Sequence, residues 1–167
     1  MKPLAAVLCA AVLLPTMSIM SGCGFTPLYA TPGVSSGLSA ISVEAPAGRT
    51  AYILRERLDD TLGRNRSLSP AYRLAFTLAE ERAPRGLGAD NAASRYELSL
   101  VVDYTLTALA SGEAVKAGQQ RVLISYEAVD APYAGIASQQ DSQERAAAEA
   151  ARRIRLDLAE YFANAKG

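Results

Sequence analysis

Apolar and polar residues alternate with a period of two along three stretches of the chain. In 71–80 the apolar positions are Tyr72, Leu74, Phe76 and Leu78. In 95–109 they are Tyr96, Leu98, Leu100, Val102, Tyr104 and Leu106, set against Arg95, Glu97, Ser99, Asp103, Thr105 and Thr107. In 120–129 they are Val122, Ile124, Tyr126 and Ala128. Such alternation predicts antiparallel strands with one buried and one polar face. Ser111-Gly112 and Gly118 mark a turn region, so 95–129 should form a long hairpin, with 81–94 as the loop that joins the first pair. Ile41-Ser42-Val43-Glu44 reads as a further short strand.

In two other places the period changes to that of a helix. Ala51, Leu54, Leu58 and Leu62 predict an amphipathic helix over 50–62, with Thr50 to cap its start and Gly63 to stop it. Asp141 and Glu144 have capping-box spacing, and Ala147, Ala151, Ile154, Leu158 and Tyr161 follow at three- and four-residue steps. Glu149 with Arg153, and Arg153 with Asp157, are placed to pair across one turn of this second helix. The order β-α-β-β-β-α is that of an α+β two-layer sandwich, in which two helices cover one face of a mainly antiparallel four-stranded sheet. Its other face is polar without being strongly charged, and so is either solvated or free to meet a partner.

The first 22 residues stand outside this pattern. Lys2 precedes an apolar run from Leu4 to Leu14, and Ser21 and Gly22 stand before Cys23, which is the layout of a cleaved secretory signal. The run is too short for a confident membrane span. Cys9 would leave with the signal, so the mature chain would hold one cysteine and no internal disulfide. Residues 30–37 (Ala-Thr-Pro-Gly-Val-Ser-Ser-Gly) are small and turn-prone, as suits a tether. The expected division is a signal over 1–22, a modified N-terminus and tether over 23–37, and a folded domain over 38–167.

Composition narrows the chemistry. Among 167 residues, 17 are Lys or Arg and 17 are Asp or Glu, so no bulk charge draws the chain to nucleic acid. There is no histidine, which removes the commonest general base, the commonest zinc ligand and any Ser-His-Asp site. A hydrolase would need a Ser-Lys or carboxylate site, and no such constellation is visible. The doublets Asp59-Asp60 and Glu80-Glu81 suit a solvated face better than acid–base work, and the tyrosines at 72, 96, 104 and 126 suit core packing.

Met20-Ser21-Gly22-Cys23 resembles a lipobox, where bacterial lipoproteins are diacylated on the cysteine sulfur, cleaved before it and acylated on the new amine. Met20 stands where leucine is usual. That resemblance makes Cys23 a lipid anchor, palmitate among its acyl chains, against the alternative of a structural cysteine after an ordinary signal. Gly24, in place of the aspartate that holds lipoproteins in the inner membrane, implies export to the outer membrane with the domain facing the periplasm.

The stretch Cys23-Gly24-Phe25-Thr26-Pro27-Leu28-Tyr29 further resembles the start of mature LptE proteins, the lipopolysaccharide-assembly lipoproteins, and the element order and Ala/Arg-rich terminal helix fit that family. The resemblance implies a non-enzymatic protein without cofactors. It implies one that plugs and supports assembly of the LptD β-barrel and assists lipopolysaccharide insertion into the outer leaflet. The partners expected are therefore that barrel, lipopolysaccharide and, through the acyl chains, the membrane. An auxiliary lipoprotein of an ABC-type envelope lipid transport system is the alternative. A polyanionic lipid calls for cations, with arginine favoured for phosphate. Arg82, Arg85, Lys116 and Arg121 are the leading candidates, with Arg64 and Arg66 behind them. Phe25, Pro27, Leu28 and Tyr29 either pack on the domain edge or dock at the barrel wall or membrane interface.

Overall fold

A computed structural model describes residues 33–87, 93–128 and 131–165. The alternating segments pair in the register that puts their apolar positions on one face. They form β2 (Tyr72–Leu87), β3 (Ala93–Ala108) and β4 (Ala114–Glu127), each antiparallel to the next. Leu74 lies opposite Leu106, Phe76 opposite Tyr104 and Leu98 opposite Ile124. The short strand β1 (Ile41–Glu44) adds to β2 in parallel, giving the sheet order β1-β2-β3-β4. The sheet is thus largely antiparallel, and the architecture is the expected α+β one, with three helices rather than two among the described residues.

The third helix is α1 (Val34–Ser39). Val34 and Leu38, one turn apart, are both buried, so this end of the segment read as a tether packs on the core. Here Gly37 makes room for an aromatic ring: a Cβ on it would lie 2.8 Å from Phe162 Cδ1. Next, α2 (Arg49–Leu62) buries Ala51, Leu54, Leu58 and Leu62 as their spacing requires, and ends at Gly63 in the left-handed region at φ 64°. Thr50 is not its cap. Gly48 occupies that position, while the buried Thr50 hydroxyl donates to Glu80 Oε2 at 2.7 Å and ties α2 to β2.

Other expectations are corrected. The 81–94 loop is mostly strand, because β2 runs on to Leu87 and β3 begins at Ala93. Pro84 is tolerated there for a reason the backbone shows. Leu109 N–H donates to Ala71 C=O, so even-numbered residues of β2 point their backbone groups away from β3, and β1 reaches only to Ala75. The missing N–H of Pro84 therefore belongs to a free edge. Gly118 is likewise no turn residue but lies within β4 opposite Tyr104, the turn itself lying between Ala108 and Ala114.

The last helix, α3 (Pro132–Asn164), begins nine residues before Asp141, at a proline that needs no N–H in the first turn. Asp141 sits inside it and pairs with Arg145 at 2.9 Å instead of capping. Of the two predicted helix pairs, Glu149–Arg153 forms at 2.7 Å. Arg153 otherwise donates to the Arg121 carbonyl at 2.9 Å, and Asp157 turns to Lys116.

The core lies between the even-numbered strand face and α2 and α3. Leu74, Leu98, Leu100, Val102, Leu106 and Val122 from the sheet meet Ala146, Ala147, Ala150, Ala151, Ile154 and Leu158 from α3. Four alanines in two turns let the helix backbone approach large strand side chains. Each fully buried leucine contributes about 1.5–3 kcal/mol relative to exposure.

Gly118→Ala provides a test of this packing. Its Cβ would meet Tyr104 Cζ at 2.7 Å, so the tyrosine would have to leave its buried position. Overpacking of this kind should destabilise by about 1–3 kcal/mol, read from the midpoint of urea unfolding; an unchanged midpoint would show that the ring is free to move.

Candidate functional site

The four leading cations come from two strands and two faces of the sheet. Arg82 and Lys116 share the helix-covered face, at opposite ends, whereas Arg85 and Arg121 lie on the open face. They do not form one patch. Arg82 and Arg85 share only an end of the sheet, where β2 leads to β3, and lie on its two faces. Cys23, Phe25, Pro27, Leu28 and Tyr29 lie outside the described residues.

At that distal end the chemistry is aromatic and basic. The Arg82 guanidinium lies 4.5 Å from the centre of the Tyr96 ring, and Tyr96 in turn packs on Tyr126 with centres 5.8 Å apart. Arg82 Nη1 also donates to Gln139 Oε1 at 3.4 Å, which links β2 to the early turns of α3. Arg85 pairs with Glu97 and Arg95 with Glu127, both at 2.7 Å, on the open face. The hydrogen bond to Glu97 holds Arg85 still more firmly protonated. One and two turns before Gln139, Ile136 and Tyr133 project into solvent, with Tyr133 90% exposed. These two were missed in the sequence because α3 was expected to start later; Pro132 was the available signal. Cations beside exposed apolar side chains can accept an amphiphilic anion, with charge assistance from the arginines and apolar contact from Tyr133 and Ile136.

Lys116 has a different task. Its Nζ lies 2.9 Å from Asp157 Oδ1, while the buried Tyr104 hydroxyl donates to Asp157 Oδ2. Gly118 leaves the space through which the tyrosine reaches the helix. Burial, aided by the Glu160 carboxylate, holds the Asp157 carboxyl above its ordinary range. The triad fastens α3 to β3 and β4, so Lys116 is committed to the fold. Just past the end of α2, Arg64 and Arg66 both turn to Asp59, at 3.7 and 3.5 Å, and are similarly occupied.

The open sheet face is paired rather than bare. Besides the two pairs above, Arg73 meets Glu44 at 3.7 Å and Gln119 donates to Asp103 at 2.7 Å. Small residues fill the space between, and a shallow hollow of about 610 Å³ lies over Ala75, Thr77, Asp103, Thr105, Ala117 and Gln119. Such a surface is polar and nearly neutral, suited to contact across a wet interface. Among the described residues no cluster of His, Cys, Asp and Glu could hold a metal ion, and no helix is long and apolar enough to cross a membrane.

Comparison with known proteins agrees with this architecture. A family model described as LptE, lipopolysaccharide-assembly, matches residues 38–163. A crystal structure of a lipoprotein from Caulobacter crescentus CB15 is 48% identical, with a TM-score of 0.70, and the match covers 81% of this chain and 98% of that one. Rare lipoprotein B from Shewanella oneidensis is 19% identical with a TM-score of 0.54, covering 76% of this chain and 97% of its own. A minor lipoprotein from Acinetobacter baumannii is 17% identical with a TM-score of 0.55, covering 72% and 91%. The latter two show likeness of fold. No curated protein matches the chain.

The Asp157 triad carries a pH test. A carboxyl whose pKa is raised on folding contributes stability that is fully present below its unfolded pKa and is lost as pH rises through the folded one. Thermal unfolding of wild type and Asp157→Asn, compared from neutrality down to about pH 4, should show wild type gaining on the variant as pH falls. A gain in the opposite direction would mean that the Lys116 ion pair outweighs burial.

Proposed function

The chain belongs to the LptE lipopolysaccharide-assembly family, and from there we propose that it is an outer-membrane lipoprotein that plugs an LptD-type β-barrel, supports its assembly and assists lipopolysaccharide insertion. The observation that carries the plug reading is the open sheet face. A body housed in a barrel lumen must present polar, charge-paired surface to a wet, polar wall. The pairs Arg73–Glu44, Arg85–Glu97 and Arg95–Glu127 satisfy that demand without a net field of either sign. Behind this face, α2 and α3 make the sheet a rigid body.

Anchoring would come from Cys23 through its acyl chains, each buried CH₂ contributing about 0.8 kcal/mol, with the domain on the periplasmic side. Tethering raises the local concentration of the plug at the membrane in which its barrel folds. The protein acts by shape and charge, without catalysis or cofactor.

For lipopolysaccharide the distal end is favoured over the other candidates. Arg82 bonds Gln139 of α3 there, Tyr133 and Ile136 on the preceding turns of that helix give apolar surface, and Arg85 lies at the same end on the open face. Arg121 is a single cation farther along the open face, and Lys116 is engaged with Asp157.

Two measurements test these readings. Affinity purification from detergent-solubilised membranes, followed by mass spectrometry, should recover a large barrel protein and an N-terminal peptide that begins at an acylated Cys23. Recovery of ABC-transporter subunits without a barrel would favour the auxiliary-lipoprotein alternative. In direct binding at several salt concentrations, Arg82→Glu with Arg85→Glu should weaken lipopolysaccharide affinity by about tenfold or more, whereas Lys116→Gln should alter stability and leave affinity in place. Equal affinity of the double variant and wild type would remove the distal site.

A further inference from the structure

Several stretches that are far apart in sequence meet at the proximal end of the sheet, opposite the distal arginines. Ala71 N–H donates to the Ala40 carbonyl at 2.9 Å, and Leu109 N–H donates to the Ala71 carbonyl, also at 2.9 Å. Asn65 N–H reaches the Ser39 carbonyl at 3.1 Å, and Leu68 N–H reaches the Asn65 carbonyl at 3.2 Å. The connection from α2 to β2, the turn between β3 and β4 and the start of β1 are thereby fastened together. Helix α1 leads into the same place. Its six residues rise about 1.5 Å each, which puts Gly33 roughly 10 Å from Ala40.

This end exposes two leucines, Leu68 at 59% and Leu109 at 42%. Leu109 is bonded to Ala71, and Leu68 precedes Ala71 by three residues, a span of at most about 11 Å. Arg66 stands two positions before Leu68 with its side chain largely exposed, and a long arginine stem can lie along apolar surface while its head stays in water. Exposed leucines scattered singly need no partner. These two instead share the end from which the chain leads back to Cys23. From Cys23 to Gly33 is ten residue steps, at most about 35 Å when fully extended. The 16 residues of β2 run about 50 Å. With the sheet upright on a membrane, that connection holds the proximal end to the lipid and cannot reach the distal one. The open face is less suited to lipid, since the pairs Arg73–Glu44, Arg85–Glu97 and Arg95–Glu127 would lose their hydration there.

We propose that the anchored chain, before a barrel encloses it, docks this proximal end on the phospholipid surface, with Leu68 and Leu109 entering the headgroup region and Arg66 beside them. The inference rests on the reading of Cys23 as a lipid anchor. Acylation fixes the chain at one point, about which the domain can still turn. Two leucines at the same end supply a second contact and stand the sheet upright. Contact of this kind strengthens with buried apolar area and with attraction of a cation to anionic lipid. In that pose the open face and the distal arginines are held clear of the lipid, where a barrel can close around them.

The chain has no tryptophan, so a single introduced one reports its own surroundings. The test uses the full acylated chain, purified from membranes and reconstituted into vesicles of phosphatidylethanolamine and phosphatidylglycerol with brominated acyl chains, which quench tryptophan on contact. Leu68→Trp and Leu109→Trp, made separately, should each show a blue shift and lose most of their emission, and either serves if the other fails to fold. Tyr133→Trp at the distal end and Leu123→Trp on the open face should keep theirs. Adding Leu68→Asp to Leu109→Trp should restore emission, a contrast that closeness to the tether alone would not give. Mass spectrometry of the N-terminal peptide reads the anchor separately. An acylated chain in which Leu68→Trp and Leu109→Trp stay unquenched overturns the docking and leaves the anchor standing. Quenching of Tyr133→Trp as strong as that of Leu68→Trp also overturns it, since the chain then lies on its side. A Cys23 found without acyl groups removes the anchor and, with it, this docking.

Discussion

One buried interface governs this structure: the even-numbered face of β2, β3 and β4 laid against a single long helix. Strand side chains repeat every two residues and helical ones about every 3.6, so the two surfaces can match only where one of them is smooth. Ala146, Ala147, Ala150 and Ala151 provide that smoothness, and Leu98, Leu100, Val102 and Val122 fill the space they leave. Because α3 also meets α1, α2 and β4, it is the element through which the others are held in place. Phe162 near its end receives α1 through Gly37, and Gln143 near its start bonds Glu80, the residue that also accepts from Thr50 of α2.

This arrangement separates the structural charges from the available ones. Facing the helix, charged groups must find partners, and they do so in the Tyr104–Asp157–Lys116 triad and at Glu80. On the open face, charges pair with neighbours across strands, and exposed pairs of this kind contribute little to stability, about 0–1 kcal/mol each. Their value lies in the surface they make, whose charges are paired and close to neutral. A lumenal plug needs such a surface, and an assembly factor also needs a place where apolar and cationic groups coincide. At the distal end Arg82 stacks on Tyr96 while Tyr133 and Ile136 stand free.

A parallel β1 at one side and an unprotected β4 at the other give the sheet a direction. β1 covers only Tyr72 to Ala75 of β2, and beyond them the chain guards its edge with proline and charge. On β4 the equivalent guards are absent, and one arginine from α3 touches a single outward carbonyl.

The local periodicities were sufficient to determine a great deal. Strand faces, the α2 boundaries with Gly63 as stop, the buried stripe of α3 and the α+β class all follow from residues that are near neighbours in sequence, because burial on one side imposes its period on whatever element forms. The family was legible in the short N-terminal motif and is matched over residues 38–163. Other features depend on partners distant in the chain. Thr50 resembles a cap until Glu80 comes within reach, and Gly118 resembles a turn until Tyr104 needs its space. Asp157 is one turn from Arg153, yet it bonds to Lys116 and Tyr104. Arg82 and Arg85 share one end of the sheet on opposite faces, while Lys116 lies at the far end. Sequence alone set which residues face inward, since that is a property of each element. Which polar groups meet was decided only by the tertiary structure, since strand register and helix placement bring together residues that no local spacing relates.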